Sequence, residues 1–187
     1  FEKYFSVVAD LTALGGADRS DREAMAKALR DSVGYIQKCF TRLEKSPQII
    51  IAAINGHALG GGCELALACD YRIMADDDRA TIGQTEVNLG IIPGAGGTQR
   101  LARVCGIGVA KDLIFTGRTI GAEEALRIGL VSEIADPVLD RALETAHALA
   151  AKSRLALSLA KELCTLALGA AHSAGPESEG SGFGGRV

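Results

Sequence analysis

The run INGHALGGGCELALACD, from Ile54 to Asp70, constrains the fold more than any other stretch, because three consecutive glycines separate an apolar strand pattern from an acid-bearing helical one. It reads as a strand, a bare-backbone turn and a helix start. Glycines let a ligand approach the main chain closely, and the first amides of a helix point outward unpaired at the positive end of the helix dipole. Such a turn can hold an oxyanion. Glu64 falls on the first turn of that helix, and Glu86 follows 22 residues later inside a second glycine-rich passage, IGQTEVNLGIIPGAGG. Two acids beside a cradle of donors point to acid/base chemistry on a carbonyl compound.

The rest of the chain reads as alternating helices and strands. Tyr4 to Ala9 looks like the end of a strand. Beyond a polar patch at Gly15 and Gly16, apolar residues Met25, Leu29, Val33, Ile36, Phe40 and Leu43 recur at helical spacing until Ser46 and Pro47. QIIIAAI is a continuous apolar run of the kind found in strands buried on both faces, which makes a parallel sheet plausible. YRIM predicts a short strand and ADDDRA an exposed turn. Helical patterns follow around Gln99 to Val104, Val109 to Phe115 and Ala122 to Gly129, and LVSEI predicts a last strand. Asp136 is expected to cap a helix with Pro137 at its first position, and two helices continue to about Leu168 with a break near Ser153. From Gly169 to Val187 the composition cannot bury enough apolar surface to offset chain ordering, which predicts a disordered tail.

Composition excludes several classes of function. With 187 residues, 48% of them hydrophobic and 23% charged, the chain suits one globular domain. A net charge of −3 with scattered Lys and Arg gives no basic stripe for nucleic acid. No apolar run approaches the roughly 20 residues needed to cross a bilayer, which predicts a soluble protein with no membrane partner. Cys39, Cys63, Cys69, Cys105 and Cys164 form an odd set without CxxC spacing, so reduced thiols are expected and a zinc site is not. His57, His147 and His172 are far apart, and no metal is expected. The start at Phe1 suggests a fragment or processed product, with a cytoplasmic location expected unless a transit peptide preceded Phe1 for the mitochondrial matrix.

A carboxylate pair suits water addition, because one acid takes a proton from water while the other hands a proton to carbon. Neighbouring carboxyls repel as anions, and with partial burial one tends to stay protonated while the other ionises. Donors at Gly61 and at another strand end would stabilise an enolate oxygen, each worth about 3 kcal/mol of barrier. The pattern suits thioester chemistry.

FSVVADL (Phe5 to Leu11), IAAINGHALGGGCELALACDYRI, IGQTEVNLGIIPGAGGTQRL and TGRTIGAEEALRIGLV (Thr116 to Val131) together resemble the enoyl-CoA hydratase/isomerase, or crotonase, family. The resemblance runs from Phe5 to about Pro137. It implies an α/β fold, the crotonase-like ββα spiral, here partial because the opening strands are missing, with C-terminal helices. The catalytic core would span 1–135, a helical segment 136–168 and the Gly/Ser-rich tail 169–187. The Gly61 amide would form one half of an oxyanion hole for the CoA thioester oxygen and the Ala9 amide the other. Ala9, Asp10, Leu11 and Thr12 would lie along the CoA moiety. Glu64 matches the acid that activates water for the beta carbon, Glu86 the acid that exchanges a proton with the alpha carbon, and Gly94 a residue whose backbone places the water. No cofactor is implied, since coenzyme A is part of the substrate, and the family assembles as trimers or pairs of trimers.

The reaction implied is hydration of a 2-enoyl-CoA to a 3-hydroxyacyl-CoA, as in fatty-acid beta-oxidation. Isomerases of the family commonly retain only an acid like Glu86, so Glu64 favours hydration; an isomerase and a non-catalytic acyl-CoA-binding or oligomer-forming paralogue remain as alternatives. The chain departs from the family where a glycine usually stands two residues before the Asp of the first motif: Val8 is there, preceded by Val7, and a β-branched residue restricts the backbone. The segment between Asp70 and Glu86 resembles a slightly longer version, which affects a turn only.

Blander roles compete for each residue. Glu64 alone could be a first-turn acid answering the helix dipole, and Glu86 a solvated loop acid. The glycines could cradle a phosphate, but the Lys and Ser/Thr of a P-loop do not follow. His57 reads as a turn or core residue, Cys63 and Cys69 as small buried hydrophobes, and Asp70 and Arg100 as structural charges, paired with each other.

Overall fold

The computed structural model describes residues 4–8 and 22–173. Strand β1 (Tyr4–Val8) precedes helix α1 (Arg22–Glu44), and β2 (Ile51–Ile54) and β3 (His57–Gly60) lead into α2 (Gly61–Ala68). Then come β4 (Tyr71–Ala75), β5 (Ile82–Gly83), a 3-10 turn at Glu86–Leu89, α3 (Gly97–Cys105), α4 (Ile107–Thr116) and α5 (Ala122–Arg127). Strand β6 (Glu133–Ala135) and helices α6 (Val138–Ala150) and α7 (Arg154–Ser173) complete the described chain. The strands form two three-stranded sheets, β1-β3-β5 and β2-β4-β6, with every neighbouring pair parallel.

Successive strands therefore go to different sheets. The apolar run stops at Asn55 and Gly56, and the chain resumes as a second strand, so β2 lies in one sheet and β3 in the other. Parallel neighbours cannot be joined by a hairpin, so the chain must travel before pairing again, and α2 and the segments after it make that journey. The result is the ββα spiral implied by the resemblance. Its core is filled from both sheets and the helices between: Ile54, Ile73, Met74, Ile82, Leu101, Leu113 and Leu130 are fully buried.

The glycine triplet permits a close approach of helix to strand. A Cβ on Gly62 would fall 1.8 Å from the Ser6 carbonyl oxygen, so only glycine lets α2 start directly against β1. Val7 and Val8 stand in that strand, in register with Leu59 and Gly60. Ala9, Asp10, Leu11 and Thr12 lie outside the described residues.

Several expectations need correction. QIIIAAI is not buried evenly: Ala52 and Ile54 face the core, whereas Ile51 and Ala53 on the opposite row are half-buried. LVSEI is strand only from Glu133. The amides of Leu130 and Val131 both bond the Ala125 carbonyl, closing α5 through the left-handed Gly129, so that backbone is unavailable to the sheet. Pro137, not Asp136, occupies the cap of α6, because its ψ of 130° keeps it extended and delays the helix to Val138. The break at Ser153 is present, but α7 runs past Leu168 to Ser173 through the helix-favouring Ala170 and Ala171. Residues 174–187 of the expected tail lie outside the described residues.

Asp70 and Arg100 are structural charges but not partners of each other. Asp70 Oδ2 accepts from the Ile50 amide and from Lys161 Nζ of α7, each at 2.8 Å, while Arg100 Nη2 bonds Glu44 Oε2 at 3.1 Å. Lys161 Nζ also donates to the carbonyls of Gln48 at 2.9 Å and Leu43 at 3.2 Å, pinning α7 to the junction between α1 and β2.

Candidate active site

The glycine turn places its first helical amide at a sheet edge. Gly60 ends β3 at φ 54°, a left-handed value that favours glycine, and no side chain caps the helix that begins at Gly61. The early amides of α2 thus present donors at the positive end of its dipole. The register pairs Val8 with Gly60, so the described end of β1 lies level with the residue before Gly61.

Glu64 sits on the first turn of α2, buried, with its carboxylate turned to the glycine-rich segment ahead of α3. Oε1 accepts the amides of Ala95 at 2.8 Å and Gly97 at 2.7 Å. Burial raises the Glu64 pKa from its ordinary value, opposed by those two amides and by the Arg100 guanidinium. The carboxylate is desolvated, yet held by donors that favour its ionised form.

Glu86 opens the 3-10 turn that follows β5, and it too is buried. Its carboxyl lies over Gly60, where a Cβ would fall 3.1 Å from Oε1. Burial, and secondarily the Glu64 charge, lift its pKa to about 7, while its own backbone amide opposes the rise. Both carboxyls are pushed up by burial, but only Glu64 is held by two amides and a guanidinium that favour its anion, an asymmetry of the kind that serves an acid and a base.

Gln84 joins the two acids. It is fully buried, and with its amide nitrogen toward Glu86 it donates to both Glu86 carboxylate oxygens at 3.1 Å. The same amide lies against Gly97, whose Cβ would fall 2.5 Å from its nearest atom, and the Gly97 amide bonds Glu64. Glu64, Gly97, Gln84 and Glu86 therefore form one continuous cluster, reached from α2, α3, β5 and the 3-10 turn. Sequence reasoning assigned Gln84 no role; its local signal was its place in the GQT run that leads into Glu86. Cys63, wholly buried beside both acids, has its thiol pushed far up by burial and by their charges, which leaves it protonated and inert.

Gly94 belongs to the same segment. Its carbonyl accepts from Gln37 Nε2 of α1 at 2.6 Å, and among the described residues its N–H has no acceptor. His57 is part-buried at the start of β3, Nδ1 2.8 Å from Thr81 Oγ1, away from the acid cluster's hydrogen bonds. Among the described residues no group of three or more His, Cys, Asp and Glu could hold a metal ion, and no helix is long and apolar enough to cross a membrane.

Comparison with known proteins agrees with this geometry. The family model for enoyl-CoA hydratase/isomerase matches residues 1–180. The chain is 46% identical over 152 residues to the short-chain-enoyl-CoA hydratase of Clostridium acetobutylicum, covering 80% of this chain and 58% of that one. It is 44% identical over 155 residues to the crotonyl-CoA hydratase of Syntrophomonas wolfei, covering 81% and 59%. The crystal structure of an enoyl-CoA hydratase from Bacillus anthracis superposes with a TM-score of 0.80 at 45% identity, over 88% of this chain and 61% of that one. The chain thus spans about three fifths of the length of these relatives. With the glycine turn, the two acids and the two-sheet spiral all in place, the chain belongs to the enoyl-CoA hydratase/isomerase family.

Proposed function

We propose that the protein adds water across the double bond of a 2-enoyl-CoA, giving a 3-hydroxyacyl-CoA. The observation that carries this reading is the unequal treatment of two linked carboxyls: both are raised by burial, but Glu64 is held by two amides on Oε1 that favour its anion, whereas Glu86 is raised to about 7. Glu64, ionised, takes a proton from water as the water oxygen bonds the beta carbon. The pi electrons move toward the thioester carbonyl, and the enolate oxygen is met by the Gly61 amide and, as the family resemblance implies, the Ala9 amide. Glu86, protonated, gives its proton to the alpha carbon, so the product gains one hydrogen and one hydroxyl. The Gly94 N–H is the backbone group offered to the water. Asp10, Leu11 and Thr12 would follow the CoA moiety beyond Ala9, and coenzyme A enters only as part of the substrate.

Relatives named for short-chain and crotonyl thioesters support a short acyl group. A trimer or pair of trimers is supported by apolar side chains left exposed: Leu155, Leu159, Leu163 and Leu166 along α7, and Ile92 and Phe115 elsewhere. Five free thiols fit a reducing compartment such as the cytoplasm.

The test is loss of ultraviolet absorbance of the conjugated thioester when the complete protein meets crotonyl-CoA. Both Glu64→Gln and Glu86→Gln should abolish turnover. Retention in both defeats the mechanism, and survival of double-bond migration in Glu64→Gln alone identifies an isomerase.

A further inference from the structure

The segment that grips Glu64 is itself gripped from behind by helix α1. The N–H of Ala95 that bonds Glu64 belongs to the same peptide unit as the Gly94 carbonyl, and that carbonyl accepts from Gln37 Nε2 at 2.6 Å. The next peptide unit is tied as well: the Ala95 carbonyl accepts from Arg100 Nη1 at 2.8 Å, and the other arm of that guanidinium reaches Glu44 Oε2 at 3.1 Å. Gln37 and Glu44 stand two turns apart on α1, seven positions from each other. Gly94 is close-packed on the same helix, since a Cβ there would fall 3.1 Å from Val33 Cγ1. Gly96, at φ 107°, admits the guanidinium at a point where a Cβ would fall 2.2 Å from Nη1.

Donation to a carbonyl strengthens the N–H of the same peptide unit as a donor, because hydrogen bonds in a chain polarise one another. Arg100 spans two acceptors at once, as its planar fork allows and a point charge does not. These contacts perform none of the chemistry attributed to Glu64 and Glu86. They fix the direction of the amides around Oε1.

We propose that Gln37, Glu44 and Arg100 are positioning residues, through which helix α1 sets how firmly the water-activating carboxylate of Glu64 is held in its ionised, correctly aimed state. The proposal rests on the hydration reading above and adds to it a control from outside the acid cluster. The titratable or charged groups facing Glu64 are Arg100 of α3, Glu86 of the 3-10 turn and Cys63 of its own helix. Glu44 acts on Glu64 only through Arg100.

The experiment is the pH dependence of crotonyl-CoA hydration by the complete protein and its Gln37→Leu, Glu44→Gln and Arg100→Lys variants. Each should lower kcat about three- to tenfold, the fold-change equivalent to one hydrogen bond of ordinary strength, with KM changed less than about twofold. The acid limb of the profile should move to higher pH in Gln37→Leu and Arg100→Lys, because weaker donors favour the protonated carboxyl, and to lower pH in Glu44→Gln, because the Arg100 charge is then no longer neutralised. A merely structural role would not move that limb. Gln37 is exposed, so its variant keeps the test available if Arg100→Lys does not fold. An acid limb that stays in place in the variants that fold overturns the proposal whatever happens to kcat. If the parent protein hydrates no enoyl-CoA, the functional reading fails on its own. The proposal is then read from the Glu64 carboxyl titration by carbon-13 NMR, where an unchanged midpoint in Gln37→Leu and Glu44→Gln overturns it.

Discussion

The amide nitrogen of Gln84 lies 3.1 Å from each carboxylate oxygen of Glu86, with no exposed surface on the glutamine. A buried donor shared by both oxygens lowers the free energy of the anion, so removing it raises the Glu86 pKa. Replacing Gln84 by Leu should therefore move the alkaline limb of kcat/KM to higher pH. It should also lower kcat by about tenfold or more, since the carboxyl loses its fixed aim. A pH profile of enoyl-CoA hydration measures both, and an unmoved alkaline limb refutes the link.

The protein's own pH dependence follows from the same carboxyl. In the proposed role of general acid Glu86 must be protonated, so hydration should decline as pH rises through about 7. Stability should change in the same sense. The folded state holds the Glu86 proton up to about 7, whereas the unfolded chain releases it near 4.5, so the contribution is complete below 4.5 and is lost as pH rises to about 7. Urea denaturation at pH 4.5 and pH 7.5 should show Glu86→Gln relatively more stable than the parent at the higher pH. Equal differences at both pH values would contradict the raised pKa.

What the sequence revealed of this site was what lies close together in the chain. The Gly60 to Glu64 stretch is local: bare backbone, helix start and first-turn acid fall within one turn, and the dipole argument needs nothing from elsewhere. Glu86 was legible as a residue but not as a geometry, because a two-residue strand and a single 3-10 turn carry no periodicity; its place is fixed by pairing of Leu59 with Gly83 and by the Ile82 to Ile120 bridge. Arg100 and Glu44 are 56 positions apart, and nothing in either segment announces the other. The separate strand at His57–Gly60, beyond the stop at Asn55 and Gly56, was missed for a different reason. This segment and β2 are both buried strands, so hydrophobicity alone does not reveal that they belong to different sheets.

Lys161 carries a prediction about the C-terminal helix. Its ammonium is buried and bonds Asp70 and two carbonyls, so Lys161→Met would leave the half-buried Asp70 carboxylate without its counter-charge, held only by the Ile50 amide, and remove a donor from the Leu43 and Gln48 carbonyls. The expected cost is about 3 kcal/mol, because removing one partner of a buried pair is worse than never having built it. Hydrogen exchange should show α7 opening before the sheets. Loss of protection spread evenly over the molecule would mean that the lysine does not pin this helix in particular.

Gly97 provides the sharpest separation of folding from chemistry. It opens α3, its amide bonds Glu64 Oε1 at 2.7 Å, and its α-carbon faces the Gln84 amide, 2.5 Å from where a Cβ would stand. Gly97→Ala forces one of two movements: Gln84 shifts away from Glu86, or the segment lifts and draws its amides off Glu64. Either breaks the connection between the two acids. Helix α3 itself is favoured by alanine, which offsets part of an overpacking cost of about 1–3 kcal/mol. The variant should therefore remain folded by circular dichroism while hydrating a 2-enoyl-CoA at least about a hundredfold more slowly, the scale expected when catalytic groups are displaced by about 1 Å. Near-normal turnover in a folded Gly97→Ala protein would show that neither acid depends on this close approach.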